Sequence, residues 1–248
     1  MIKRIGFLLL ILTTTIGGTG CMGKSTEEKM LEYLEETYNE EFEIEFVNKG
    51  GGGLFSSSSS SENAVAHLKS NPDIVFTIRE NKNKTSFNDS YLLARWGKEL
   101  EDKLQLKASE HLPDNSEYRI TLRATPDKYD SSMVNKSVDD FILHSDGDVT
   151  VTLVVAIKTN EKPSVSEYSE EIYHLYELIK DVSSKRYAVS VGFVDEKDDI
   201  SNYMTNVFVN NIGWDNLNAK VYGVLNLNNT QNVSNYESVI DYFRQIEE

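Results

Sequence analysis

Cysteine is almost absent: Cys21 is the one thiol in 248 residues. No disulfide can close within a single chain, so packing alone must hold the fold. No apolar run approaches the roughly 20 residues that a membrane-spanning helix needs; the longest uncharged apolar stretch, residues 5–16, has twelve. The four histidines, His67, His111, His144 and His174, are scattered without HExxH or any other metal spacing, so no metal site is expected. His174 falls inside an apolar helical pattern and is expected to pack there. No nucleophile stands in a recognisable pattern with a base, and no catalytic residue or cofactor is assigned. Cations are outnumbered, 25 Lys and Arg against 40 Asp and Glu, for a net charge of −15. Residues 1–20 hold two cations and no acid, which leaves −17 for the rest. Such a surface repels phosphodiester backbones and anionic headgroups, which argues against nucleic-acid binding.

The chain opens with Lys3 and Arg4, then the uncharged run 5–16, then small residues Gly17, Gly18, Thr19 and Gly20 before Cys21. Cations, a short apolar core and a small-residue end are the plan of a removable export signal. The segment resembles the lipobox of bacterial lipoproteins, in which the cysteine after the cleaved bond receives the lipid. That resemblance implies a signal peptide over 1–20 and lipid attachment at Cys21. Gly18 departs from it, standing where the family usually has Leu or another aliphatic residue. The same residues match a second pattern: Gly18 to Ser25 reads GxxxxGK[ST], the phosphate-binding loop. Lys24 would then reach the outer phosphates and Ser25 a magnesium ion, with Asp195, after the apolar run 189–194, as a second magnesium-holding acid.

In the mature body, Ser25 and Glu28 form a capping box ahead of a helical stripe, Met30, Leu31, Leu34 and Tyr38. Residues 41–46 alternate strictly, which predicts a strand with Phe42, Ile44 and Phe46 inward and Glu41, Glu43 and Glu45 in water. A Gly- and Ser-rich loop, 48–63, follows. Strands are expected at Ile74, Phe76 and Ile78, at Tyr118 to Ala124, over 149–157, over 187–194 and near 221–227. A helix over 88–107 carries Leu92, Trp96, Leu100 and Leu104, a short one lies near 138–143, and a long one after Pro163 carries Ile172, Leu175, Tyr176 and Ile179. A second capping box, Ser234 and Glu237, predicts a last helix with Val239, Ile240, Phe243 and Ile246 buried. Asp146 to Asp148 and 196–199 read as solvated turns.

The expected fold is therefore α+β, or α/β: mixed, largely antiparallel sheets packed with amphipathic helices. The polar stretches 113–116 and 126–136 suggest an N-terminal α/β subdomain over 21–112 and a C-terminal one over 113–248. Two strand–helix–strand units, around Trp96 and around Tyr168, suggest an internal duplication. Glu32 to Phe42 and Asp89 to Leu92 are similar to small uncharacterised lipoproteins of low-GC Gram-positive bacteria, a resemblance that implies no activity.

These observations lead to an expectation of a cell-surface accessory or binding protein without enzymatic activity. The expected location is the extracytoplasmic face of the cell membrane, with the N-terminal lipid in the bilayer and an envelope or cell-surface protein as partner. The first alternative is a cytoplasmic nucleotide hydrolase using Lys24, Ser25 and Asp195. The second, a small-solute binding lipoprotein, asks for a clear cleft.

Overall fold

The computed structural model describes residues 24–48, 62–83, 85–182, 185–210 and 212–246; the expected signal segment, Cys21 and nearly all of the Ser-rich loop lie outside them. Among these residues two sheets are joined by helices, the expected α+β class. Helix α1 (Thr26–Tyr38) starts at the capping box read from the sequence: Ser25 accepts from the Glu28 amide, and the Glu28 carboxylate takes the Ser25 amide at 2.7 Å. Strands β1 (Phe42–Asn48), β2 (Asn63–Leu68), β3 (Asn71–Glu80) and β4 (Phe87–Asp89) form an antiparallel meander in that order.

Helix α2 (Tyr91–Ser109) leads to the second sheet, β5 (Ser116–Arg123), β6 (Thr150–Thr159), β7 (Tyr187–Asp195), β8 (Val221–Asn228) and β9 (Phe243–Gln245). Only β6 and β7 run parallel, so they need a crossover, which helix α4 (Ser169–Val182) provides. Helix α3 (Val138–His144) packs on α2, where Phe141 stacks on Trp96 at 4.1 Å. One contiguous core runs from Met30 and Phe76 through Trp96 and Ile120 to Val155, Ile179 and Val239. A smaller cluster covers the opposite face of the second sheet, built from Val154, Ala156, Val194, Val224 and Trp214, with Ile200 just before helix α5 (Ser201–Thr205) and Met204 within it. This explains why β6 is apolar on both faces. Trp214 lies flat over Gly192, where any Cβ would come within 2.4 Å of its ring.

Four expectations change. Phe46 is 57% exposed rather than inward, because a bulge between Ile44 and Phe46 shifts the register and turns Val47 toward the core instead. Strand β2, hidden in the sequence by its weak strand formers Ala64 and Ala66, pairs both β1 and β3. The last helix is a 3-10 segment, Tyr236–Tyr242, capped by Asn235 rather than Ser234, and Phe243 begins strand β9. Of the four residues expected inside it, Val239 is buried while Ile240 is 41% exposed. The duplication also fails, since β3 and β5 belong to different sheets whereas β6 and β7 are neighbours in one.

Helix α2 lies along the edge of β5. The amide of Ile120 donates to the Glu101 carboxylate at 3.2 Å, and Arg119 bonds the Tyr118 carbonyl at 3.1 Å. Glu101 is buried and also takes Lys98 at 3.1 Å, with Arg119 at 3.6 Å. Burial works against the Lys98 ammonium, but Asp102 and Glu101 outweigh it and raise its pKa. Gly97 is required at the closest approach, because a Cβ there would stand 2.7 Å from the Ile120 carbonyl oxygen.

Removing one partner of a buried ion pair leaves charge and a strand amide uncompensated. Glu101→Ala should therefore lower unfolding free energy by about 3–5 kcal/mol in urea denaturation. Glu101→Gln keeps an acceptor for Ile120 and should lose only about 1–3 kcal/mol. Gly97→Ala should cost about 1–3 kcal/mol through the forced separation of helix and strand.

Candidate functional site

Beyond the Glu101 cluster between α2 and β5, two places in the described residues bring ionisable side chains together, one enclosed and one beside an open groove. The first is closed. Asp89, at the end of β4, accepts hydrogen bonds from the hydroxyls of Tyr38 at 2.9 Å and Tyr33 at 3.1 Å, and from the Tyr91 amide at 3.0 Å. The Tyr129 hydroxyl donates to its carbonyl at 3.2 Å. Burial raises the pKa of Asp89 although these bonds oppose it, and burial beside Asp89 pushes Tyr129 up to about 12. Tyr33 and Tyr38 rise for the same reasons. The carboxylate ties α1 to the start of α2, and the Asp89 carbonyl adds the 126–136 segment through Tyr129. All its partners belong to the chain itself, so it acts as a pin.

The second place is open and lies at the C-terminal ends of the parallel pair, where Thr159 of β6 and Asp195 of β7 are register partners. Ligand sites of α/β sheets form at such ends, because the chain must leave each strand there by a loop. Val194 pairs Val221 while Phe193 pairs Gly223, so Tyr222 is the extra residue of a bulge in β8. A bulge re-aims its side chain. The Tyr222 hydroxyl donates to Asp195 Oδ2 at 2.8 Å, and Asp195 Oδ1 accepts the Lys197 amide at 3.0 Å. The Lys197 amide, then Tyr222, hold the Asp195 carboxyl below the usual aspartate range, while the bond to Asp195 raises the Tyr222 phenol.

Lys220 Nζ stands 5.1 Å from the Tyr222 ring centre, a cation–π placement. Across the opening, Lys162 donates to Gln245 Oε1 of β9. Together with Ala219, Val221 and Ile246 these residues line a groove of about 590 Å³. The lining offers ammonium groups, a phenol and aliphatic side chains, an arrangement that can hold a ligand. Thr159 Oγ1, buried at the end of β6, makes no hydrogen bond.

The residues weighed for nucleotide chemistry are not brought together. Lys24 pairs with Glu32, and Ser25 caps α1, which leads into the antiparallel first sheet. Asp195 ends a strand of the second sheet, and its side chain is engaged by Tyr222 and the Lys197 amide. Cys21, the expected lipid attachment residue, lies outside the described residues. His174 is not a packed core residue: its side chain is 45% exposed and stacks on His111 at 4.7 Å, with Glu170 at 3.9 Å. Among the described residues no group of three or more His, Cys, Asp or Glu could hold a metal, and no helix is long and apolar enough to cross a membrane. Reading the sequence identified Asp195 as notable but missed Tyr222, Lys220 and Lys162, since a bulge and a crossover loop leave no periodic signal.

Two measurements follow from this chemistry. A carboxyl whose pKa is higher in the folded than in the unfolded chain stabilises the fold at low pH. That contribution is lost as pH rises from the ordinary aspartate range through the raised native value. Asp89→Asn removes the titration, so the stability of the variant relative to the parent should rise as pH increases from the ordinary aspartate range in urea denaturation, whatever constant offset the lost hydrogen bonds impose. Thr159→Val deletes only a hydroxyl that has no partner. It should leave the melting temperature unchanged or raise it by an amount corresponding to about 1 kcal/mol.

No family model matches this chain, and no curated protein matches it. Among solved structures it is similar to a DUF5037 family protein from Ruminococcus gnavus ATCC 29149, whose crystal structure was determined at 2.55 Å resolution. The TM-score is 0.52 at 16% identity, over 86% of this chain and 98% of that one. At that identity the likeness concerns the fold alone.

Proposed function

We propose that this is a lipid-anchored binding protein of the cell surface, without enzymatic activity, held at the extracytoplasmic face of the membrane by Cys21. The observation that carries the reading is the order of the N-terminal segment: Lys3 and Arg4, the apolar run 5–16, four small residues, then the only cysteine. Helix α1 begins at Thr26, five residues after Cys21. The tether is therefore short, at most about 18 Å when extended. The acidic body contributes no attraction to anionic headgroups, so affinity for the bilayer comes from the acyl chains, at about 0.8 kcal/mol per buried methylene. The open groove beside β8 supports a binding role, because it offers polar groups and apolar surface in one concave place. Its partner belongs to the envelope or cell surface.

Metabolic labelling with a fatty acid, followed by fractionation, tests the anchor. The native chain should appear as a labelled membrane species whose mass lacks residues 1–20, and Cys21→Ala should be unlabelled and released or mislocalised. An intact Met1 on the mature cellular protein overturns the proposal.

A further inference from the structure

We infer that the open edge of β1 receives an extended, lysine- or arginine-rich segment of a partner protein, added to the first sheet as a further antiparallel strand. This edge belongs to the first sheet, whereas the groove beside β8 belongs to the second, and its occupancy does not depend on Cys21. Strand β1 pairs with β2 on one side, and no other described strand pairs with it on the other. The Lys69 amide donates to the Glu41 carbonyl at 3.0 Å, which fixes the phase of the ladder: Glu41 and Glu43 turn their backbone groups toward β2. Phe42 and Ile44 therefore point theirs outward, where a second ladder can form.

Charge selects the occupant. Residues 24–48 hold nine glutamates against two lysines, so this short stretch carries close to half of the net charge of −15. Basic side chains flank the acids from the β2 side, with Lys69 at 3.5 Å from Glu41 and His67 at 3.2 Å from Glu45 and 3.9 Å from Glu43. Glu41 and Glu43 nevertheless keep 78% and 64% of their side chains exposed. An added antiparallel strand places one residue opposite Glu43 in the non-hydrogen-bonded position, where side chains approach most closely, so a lysine there meets the carboxylate. The residues opposite Phe42 and Ile44 share their core-facing direction and are aliphatic. Phe46, 57% exposed beyond the bulge, adds a ring face for a further cation. Glutamates and a bulge on an edge strand oppose pairing with a second copy, because like charges would stand across from each other. The same residues favour a cationic strand, which the acidic body also attracts at long range.

The test uses the isotope-labelled full chain and reads the Phe42 and Ile44 amides by NMR. The probe is N-acetyl-Lys-Val-Lys-Val-Lys-amide. One control has Glu in place of each Lys, and the other has both valines N-methylated, which keeps the charge and removes the donors that would face β1. The lysine peptide should shift both amides saturably in the millimolar range and slow their exchange with solvent, while neither control should. Added salt should weaken it. The double variant Glu41→Lys, Glu43→Lys changes two exposed side chains; it should weaken the lysine peptide at least about fivefold and make the glutamate peptide the tighter ligand. Absence of a saturable shift, equal binding of the N-methylated peptide, or indifference to the charge reversal overturns the inference. Shifts of the same amides on raising protein concentration without peptide assign the edge to a second copy and overturn it as well. Labelling of Cys21 is read separately, so failure of this partner class and failure of the anchor are distinguishable.

Discussion

The contact between helix α2 and the edge of β5 is the constraint on which the rest of the molecule depends. An edge strand leaves every second amide and carbonyl without a partner, and a helix cannot normally supply one. Here Glu101 reaches from α2 to take the Ile120 amide, Arg119 folds back on the Tyr118 carbonyl, and Gly97 lets the two backbones close to the distance these bonds need. The same helix packs its other side against β3 through the core shared by Phe76, Leu92 and Leu100. Two sheets with no strand pairing between them among the described residues thus share one hydrophobic core. The buried charge of Glu101 is tolerable only because Lys98 and Arg119 accompany it, which makes the seam selective for one alignment of helix and strand.

With β5 sealed, the second sheet grows away from α2, and its features follow from its single parallel pair. The crossover through α4 brings Thr159 and Asp195 level with each other and leaves loops at that end. The bulge at Tyr222 then turns a phenol toward Asp195 and opens the surface between β8 and the 160–164 segment. Polar clusters in this protein therefore serve two different ends. Asp89 is surrounded by donors from the chain itself and closes the N-terminal half, whereas Lys162 and Lys220 line an open groove beside apolar side chains. The contrast between an enclosed cluster and one that lines an open groove is what separates a pin from a binding surface.

Much of the architecture was legible in the amino-acid order. The fourfold spacing of Leu92, Trp96, Leu100 and Leu104 marks a helix because those side chains share one stripe, and all four are buried. Ser25 and Glu28 announce a helix start because the box is a local exchange of hydrogen bonds. The run 149–157 reads as an interior strand because a strand covered on both faces needs no polar alternation, and β6 does lie between β5 and β7. Local rules fail where tertiary pairing overrides them. The alternation of β1 is perfect through Phe46, yet the bulge sends Phe46 into solvent. Ser234 and Glu237 have the spacing of a cap, yet Phe243 is drawn into pairing with β8 and the turn before it tightens to 3-10 geometry.

The sequence by itself determined the class of the fold, most of its helices and strands, and their inward faces, because hydrophobic periodicity and capping depend on neighbours a few positions away. Its acidity and scarcity of cysteine likewise constrain partners and stability without reference to any fold. Only the tertiary structure decided which strands share a sheet, that α2 spans both, and that Lys162, Lys220 and Tyr222 meet at one groove. Lys162 comes from the crossover loop, whereas Lys220 and Tyr222, at the start of β8 and in its bulge, lie some 60 positions later in the chain. Their meeting depends on register and crossover, which are set by the summed burial of whole faces rather than by any local pattern.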